Sequence, residues 1–205
     1  MKLPWAAKPA PTGMHETFFI SLGLDCNPAI ELRSLGLRKT AMPFDWLRST
    51  PAAIEHCIRT DFSGFHADVR LDPVAERVVD SLAMEFSHDY PTLENYNNDA
   101  RTVEGWEAYI PLITEKYRPR IERFIGLLRS SDIPVVILCT MNFADIEKVR
   151  EAIRETYGRT SRLVFVSLTA EVFPSNHNTL WCGGASKDIL PQRLQFAAQL
   201  ASTTS

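Results

Sequence analysis

The 205-residue sequence lacks the patterns that mark several common functional classes. Its four cysteines form no CxxC pair, so neither a zinc knuckle nor a thioredoxin motif is expected. These cysteines are Cys26, Cys57, Cys139 and Cys182. No GxGxxG or Walker pattern occurs, which removes the usual glycine-rich cradles for dinucleotides and nucleoside triphosphates. We therefore predict no metal and no cofactor.

Excess charge and long apolar runs are also missing. The chain has 22 Lys and Arg against 25 Asp and Glu, a formal net charge of −3, so a nucleic-acid partner is not expected. No apolar run approaches the roughly 20 residues of a membrane-spanning helix, and we expect no membrane insertion. Residues 1–15 hold three prolines but no continuous apolar core, which indicates a flexible arm and not a secretion signal. Widely spaced thiols favour a cytoplasmic protein, and the oligomeric state stays open.

The pattern that is present is typical of an α/β protein. Near-continuous apolar runs at 18–20, 133–139 and 162–167 predict strands buried on both faces. The helical pattern at 144–157 separates the last two, which indicates parallel strands joined by a crossover helix. With 45% apolar residues, we predict one domain at 16–201, mainly a parallel sheet flanked by helices, and a polar tail at 202–205.

Cys26 lies between the first predicted strand and a helix. Asn27 suits the N-cap and Pro28 the first helical position, while Gly36 suits the end of the helix. The positive end of a helix dipole stabilises a thiolate, and the backbone N–H groups there can bind an oxyanion. Cys26 is therefore a candidate nucleophile; the alternative is a small buried hydrophobic residue.

Five blocks of sequence carry a resemblance to a known family. They are SLGxxC at 21–26, LRxxGLR at 32–38, PFDWL at 43–47, FxHDY at 86–90 and KYxxRIxRF at 116–124. In this order they resemble the bacterial family described as "putative papain-like cysteine peptidases". The resemblance implies that Cys26 is the nucleophile and His88 its partner. It also implies an alternative fold class, the α+β papain-like fold.

Two histidines are candidate bases. His88 ends a short predicted strand beside Asp89 and precedes a proline turn, although a surface histidine without a partner would fit the same pattern. His177 lies about as far after Cys26 as the ~130–150 residues that separate cysteine from histidine in papain. With the resemblance taken into account, His88 ranks first and His177 second.

Other polar residues could orient the histidine or bind substrate. Asp45 lies between two aromatic residues in a proline-led loop, a setting that favours a hydrogen-bonded anchor over a group that orients a catalytic histidine. The arginines of 118–123 form either a solvated face or a clamp for an anion. The predicted substrate-binding residues are Asn27, Trp46, Arg120, Arg123 and Asn142.

Three local expectations concern residues outside these motifs. Pro119 should interrupt the helical pattern of 103–129, since proline breaks helix interiors. His66 should lie at the surface. Cys182, in a loop with two glycines, should be exposed.

The sequence therefore leaves three functional hypotheses. The first is a hydrolase or acyltransferase that acts on a small-molecule or peptidyl amide, ester or thioester through a Cys–His pair. The second is a non-covalent enzyme or binding module for an anionic small molecule, such as a sugar nucleotide or glycan intermediate. The third is an interaction protein with a degenerate site.

Overall fold

A computed structural model describes residues 16–93, 101–183 and 189–203. The predicted arm at 1–15 lies outside these residues, as does most of the polar loop at 92–101. In chain order the elements are β1 (Phe18–Leu22), α1 (Asn27–Ser34), α2 (Pro51–Arg59), β2 (Arg70–Leu71), β3 (Val78–Val79), a 3₁₀ turn (Trp106–Tyr109), α3 (Ile110–Arg129), β4 (Val135–Cys139), α4 (Phe143–Tyr157), β5 (Leu163–Ser167), β6 (Thr179–Trp181) and α5 (Leu190–Thr203). The predicted α/β class is confirmed.

The main sheet is parallel and follows the order β1-β4-β5-β6. Phe18 pairs with Val135, and Val135 pairs in turn with Leu163. Every residue of β4 and β5 is buried, which explains their continuous apolar sequence. The short strand β6 was not predicted, because three residues carry too little pattern. A separate antiparallel pair joins β2 to β3.

Helices cover both faces of this sheet. Ile137 and Phe165 point to one face, where they pack with α2, α3 and α4 in the larger apolar core. Val136 and Val164 point to the other face and pack with α1 and α5. Successive residues of a strand thus pack against helices on opposite faces of the sheet. As a consequence, the helix after β1 and the helix after β4 lie on opposite faces of the sheet.

The helix starts follow the predicted capping rules with one correction. Thr50 caps α2, where its hydroxyl accepts from the Ala53 N–H at 3.1 Å. At α1 the N-cap is Cys26 and not Asn27, which becomes the first helical residue. Cys26 therefore lies even closer to the helix end than the sequence suggested.

The expected break at Pro119 is wrong, because α3 runs through it from Ile110 to Arg129. An interior proline costs about 3 kcal/mol or more. The buried face of the helix, which includes Tyr117, Phe124 and Leu128, offsets that cost, since each buried large side chain contributes about 1.5–3 kcal/mol. Pro119 itself faces solvent, so its ring displaces no core side chain.

Two further expectations about exposure are wrong. His66 is only 7% exposed and is enclosed by aromatic rings, among them those of Phe86 and Tyr90. Cys182 is 8% exposed and packs with α5 in the smaller core, because the residues before it form β6 instead of a loop. Both positions became buried through contacts with segments distant in sequence.

Candidate functional site

Cys26 lies at the carboxyl edge of the sheet, where β1 and β4 diverge. The helices that follow these two strands lie on opposite faces of the sheet, and such a position is the usual ligand site of parallel α/β sheets. The Leu24 N–H donates to the Thr140 hydroxyl at 3.3 Å, which joins the two loops at that point. The topology therefore places the Cys26 loop where such folds bind their ligands.

The turn that delivers Cys26 requires a glycine at its start. A Cβ atom on Gly23 would meet the Asp25 carbonyl oxygen at 2.2 Å, a distance that no side chain tolerates. Gly23 is buried directly after β1, so the chain can double back within three residues. This steric clash explains why the SLGxxC block has a glycine at position 23.

Cys26 is the most accessible of the four thiols. It is partly exposed, and its side chain makes no capping hydrogen bond to α1. Burial raises the pKa of Cys57 and of Cys139 to about 12, which keeps both as thiols, and burial also raises the pKa of Cys182. Cys26 is therefore the thiol that can react at neutral pH.

The backbone donors beside Cys26 are fewer than the sequence suggested. The Asn27 N–H donates to the Asp25 carboxylate at 2.9 Å, and the Asn27 side chain donates to the same carboxylate at 3.2 Å. Pro28 has no N–H. Among the described residues, the N–H groups of Cys26 and Ala29 make no hydrogen bond, so they are the donors left for an oxyanion.

A short segment, 46–49, connects the Cys26 loop to the chain that carries His88. Ser49 bonds the Cys26 loop twice: its hydroxyl donates to the Gly23 carbonyl at 2.7 Å, and its N–H donates to the Leu24 carbonyl at 3.2 Å. Arg48 forms a two-way backbone bridge with Glu85, at 3.1 and 2.8 Å. Residues 46–49 therefore hold both loops on one side of the sheet edge.

His88 is exposed and packs against this segment. Its ring meets the Trp46 ring edge-on, with centroids 5.9 Å apart. In the described residues no hydrogen bond joins the His88 ring to the Cys26 sulfur. The two residues are thus linked indirectly, through the 46–49 segment that bonds the Cys26 loop and packs against the His88 ring.

Asp45 has the contacts of an anchor. Its carboxylate is 1% exposed and accepts from the Ser21 hydroxyl, the Arg38 guanidinium and, at 2.8 Å, the Met42 N–H. None of these contacts reaches His88. The Arg38 guanidinium also lies over the Trp46 ring, 5.6 Å from its centroid. Asp45 can therefore affect His88 only through Arg38 and Trp46.

Asp89 points away from the His88 ring and fastens the turn to α3. Its buried carboxylate accepts from the Lys116 ammonium at 2.6 Å and from the Tyr117 hydroxyl. Burial, followed by the Asp89 charge, holds the pKa of Tyr117 well above its usual value, so the phenol remains a donor. Asp89 thus fixes the backbone on which His88 lies.

His177 lies at the other end of the strands. It precedes β6, and the neighbouring Asn178 carbonyl accepts from the Phe165 N–H at 2.8 Å, which places this segment near the amino edge of the sheet. Cys26 follows the carboxyl end of β1. The topology therefore does not bring His177 to Cys26.

The remaining predicted binding residues have different surroundings. Asn142 caps α4, where its side chain accepts from the Asp145 N–H at 2.9 Å. Arg123 donates to the Ala41 carbonyl at 3.0 Å and joins α3 to the loop before Asp45. Arg120 stacks on Tyr117, with its guanidinium 5.1 Å from the ring centroid.

Sequence reasoning missed three polar residues that build this site. Ser21, Arg38 and Ser49 hold Asp45 and the Cys26 loop in place. A buried serine inside an otherwise apolar strand is the one signal that could have identified Ser21. In the ranges 16–93, 101–183 and 189–203, no group of three His, Cys, Asp or Glu is arranged to hold a metal, and no helix is long and apolar enough to span a bilayer.

Comparisons with known proteins identify a family and a viral relative. A family model described as "Putative papain-like cysteine peptidase" matches residues 17–157. An uncharacterized protein of Acanthamoeba polyphaga mimivirus, R408, is 30% identical over 138 residues, which is 57% of this chain. The chain spans 58% of that viral protein's length. No solved structure matches the chain significantly.

Proposed function

Because the chain belongs to the family described as "putative papain-like cysteine peptidases", we propose that it is a hydrolase or acyltransferase with Cys26 as nucleophile and His88 as base. Its substrate is an amide, ester or thioester. The observation that carries the proposal is the contrast among the thiols: Cys26 alone of the four is partly exposed, and it follows the carboxyl end of β1, while the other three are buried.

The chemistry requires two proton transfers by one imidazole. The Cys26 thiolate attacks the acyl carbon, a C–S bond forms, and protonated His88 gives its proton to the leaving amine, alcohol or thiol. Neutral His88 then removes a proton from water, the resulting hydroxide attacks the thioester, and the C–S bond breaks. This step restores the thiolate and the protonated imidazole. An amine or alcohol in place of water gives acyl transfer.

The neighbouring groups support both steps. The N–H groups of Cys26 and Ala29 make no hydrogen bond among the described residues and can donate to the charge that develops on the acyl oxygen. Trp46 holds the His88 ring edge-on, and Asp45 holds Arg38 against Trp46. Asp45 and Trp46 are thus positioning residues in this proposal, which differs from a triad in which a carboxylate bonds the histidine directly.

Alkylation rates test the proposal without a known substrate. Iodoacetamide at pH 7 should label Cys26 first, with Cys57 and Cys139 protected until the protein unfolds. In His88→Ala, labelling of Cys26 at pH 7 should slow, because the thiol then has no imidazole to take its proton. Mass spectrometry of timed digests gives each rate.

His177→Ala is the matched control, since it removes an exposed histidine at the opposite edge of the sheet. It should leave the Cys26 rate unchanged. Equal slowing in both histidine variants, or labelling of all four thiols only after denaturation, would exclude the Cys26–His88 pair. Turnover of an activated thioester should disappear in Cys26→Ser while its melting temperature stays near that of the wild type.

A further inference from the structure

One face of α3 carries a row of cations beside the proposed site. Lys116, Arg120 and Arg123 recur at intervals of four and three residues, so they lie along one side of the helix. Lys116 is bonded to Asp89, next to His88, and Arg123 is bonded to the loop that leads to Asp45. The row therefore runs along the wall that holds His88 and Trp46.

Arg120 differs from the two cations on either side of it. It is partly buried, and its guanidinium lies over the ring of Tyr117. Among the described residues it has no hydrogen bond and no carboxylate partner. Stacking on an aromatic face supplies only about 0.5–2 kcal/mol and leaves the five N–H donors of the guanidinium unused. Arg120 can thus donate to an anion that offers two acceptor oxygens.

Two carboxylates near Tyr117 are already paired with other cations. Both carboxylates act on Tyr117: its hydroxyl bonds Asp89, and after burial and the Asp89 charge, the Asp45 charge also raises the pKa of this phenol. Asp45 is paired with Arg38, and Asp89 with Lys116. Among the described residues, neither Arg120 nor Arg123 has a carboxylate partner, so this wall keeps positive charge that can attract an anionic ligand.

We propose that Arg120 determines specificity by binding an anionic group of the acyl donor, a carboxylate or a phosphate, while the scissile carbonyl lies at Cys26. The inference rests on the proposed function and adds the chemical class of the substrate. A guanidinium binds either group through two parallel hydrogen bonds, which would fix the orientation of the acyl chain as well as attract it. A neutral substrate would leave the partly buried cation unpaired.

Two alkylating reagents, one anionic and one neutral, test this role. Iodoacetate and iodoacetamide both transfer a two-carbon group to the Cys26 sulfur and release iodide, but only iodoacetate is anionic. The ratio of their rates cancels the reactivity of the thiol itself. In Arg120→Gln the iodoacetate to iodoacetamide ratio should fall roughly tenfold, the value of one charged hydrogen-bonded contact.

Arg118→Gln is the matched control, because Arg118 lies on the same helix but is exposed and paired with Glu115. Its ratio should remain within about twofold of the wild type. An equal ratio in the two variants would overturn the inference. Inorganic phosphate and succinate distinguish a phosphate ligand from a carboxylate ligand. The anion that Arg120 binds should slow iodoacetamide labelling of Cys26 in the wild type and in Arg118→Gln, but not in Arg120→Gln.

Failure of the proposed function would have a different signature. If Cys26 resists iodoacetamide in the folded wild type, the nucleophile assignment is wrong, and the anion site is then judged by melting temperature alone. Phosphate or succinate should raise the melting temperature of Arg118→Gln more than that of Arg120→Gln. Equal shifts in the two variants would show that no anion site exists at Arg120.

Discussion

Removing one hydroxyl, in Tyr90→Phe, should destabilise the protein through His66. The Thr114 hydroxyl donates its only proton to the Ile110 carbonyl at 2.9 Å, so it can only accept from His66, whose Nδ1 is 3.0 Å away. A neutral His66 therefore carries its proton on Nδ1. Its Nε2 accepts from the Tyr90 hydroxyl at 2.7 Å. Phenylalanine would leave this nitrogen without a donor.

The size of the effect follows from burial. Tyr90 is 4% exposed and His66 is 7% exposed, so water cannot replace the lost hydroxyl. A buried acceptor left without a donor costs about 1–3 kcal/mol, and in a domain of this size each kcal/mol lowers the melting temperature by about 2–4 °C. Urea unfolding at pH 7.5 measures the free energy of unfolding directly.

The buried His66 also makes stability depend on pH. Burial lowers the pKa of His66 below its usual 6.5, while the Asp89 charge opposes that shift. The folded state therefore binds fewer protons than the unfolded state in this window. Stability is fully present above pH 6.5 and is lost as the pH falls through 6.5 towards the folded-state pKa. In Tyr90→Phe the neutral ring loses its hydrogen bond, so its pKa should return towards 6.5 and this pH dependence should shrink.

Tyr109→Phe is the control, because Tyr109 is 42% exposed. It should change the free energy of unfolding by less than about 0.5 kcal/mol at any pH. Comparison of each variant with the wild type cancels the titration of other groups, including Asp80, which accepts from the backbone N–H of His66. The reasoning is refuted if Tyr90→Phe keeps wild-type stability at pH 7.5, or if its pH dependence matches that of Tyr109→Phe.

Three further substitutions test the anchors of the fold and the site. Gly23→Ala forces a Cβ to within 2.2 Å of the Asp25 carbonyl oxygen, so the Cys26 loop should shift. Iodoacetamide labelling should then lose its preference for Cys26. Unchanged labelling would contradict the steric argument. Asp45→Asn leaves the Arg38 guanidinium partly buried without its anion and should cost about 3–5 kcal/mol in urea unfolding, whereas a loss under 1 kcal/mol would mean that the pair is not an anchor. The Arg159 guanidinium donates to four backbone carbonyls, which an ammonium cannot all reach. Arg159→Lys should therefore lower the free energy of unfolding by about 1–3 kcal/mol in thermal unfolding. Wild-type stability would show that these bonds contribute nothing.

The parallel sheet could be predicted because its signals are local. A strand buried on both faces is apolar at every position, and β4 and β5 are recognised by that feature alone. The helix between them begins at Asn142, which caps it, and ends at Gly158, whose φ of +69° suits a residue without a side chain. Each of these signals lies within a few residues of the element it defines.

The failed expectations depended on partners distant in sequence. His66 is buried because Thr114 and Tyr90 bond its two ring nitrogens. Pro119 remains inside a helix because the opposite side of that helix packs into the core. Neither contact leaves a trace in the residues next to His66 or Pro119, so periodicity and composition could not reveal them.

The sequence alone determined that a cysteine follows a buried strand and begins a helix, since strand burial, glycine and proline act over a few residues. Only the tertiary structure decided which thiol is accessible and which histidine lies on its side of the sheet. The physical reason is that the link between the Cys26 loop and His88 runs through the 46–49 segment, which bonds the one and packs against the other. Exposure and proximity are properties of packing, and packing is established only when distant segments meet.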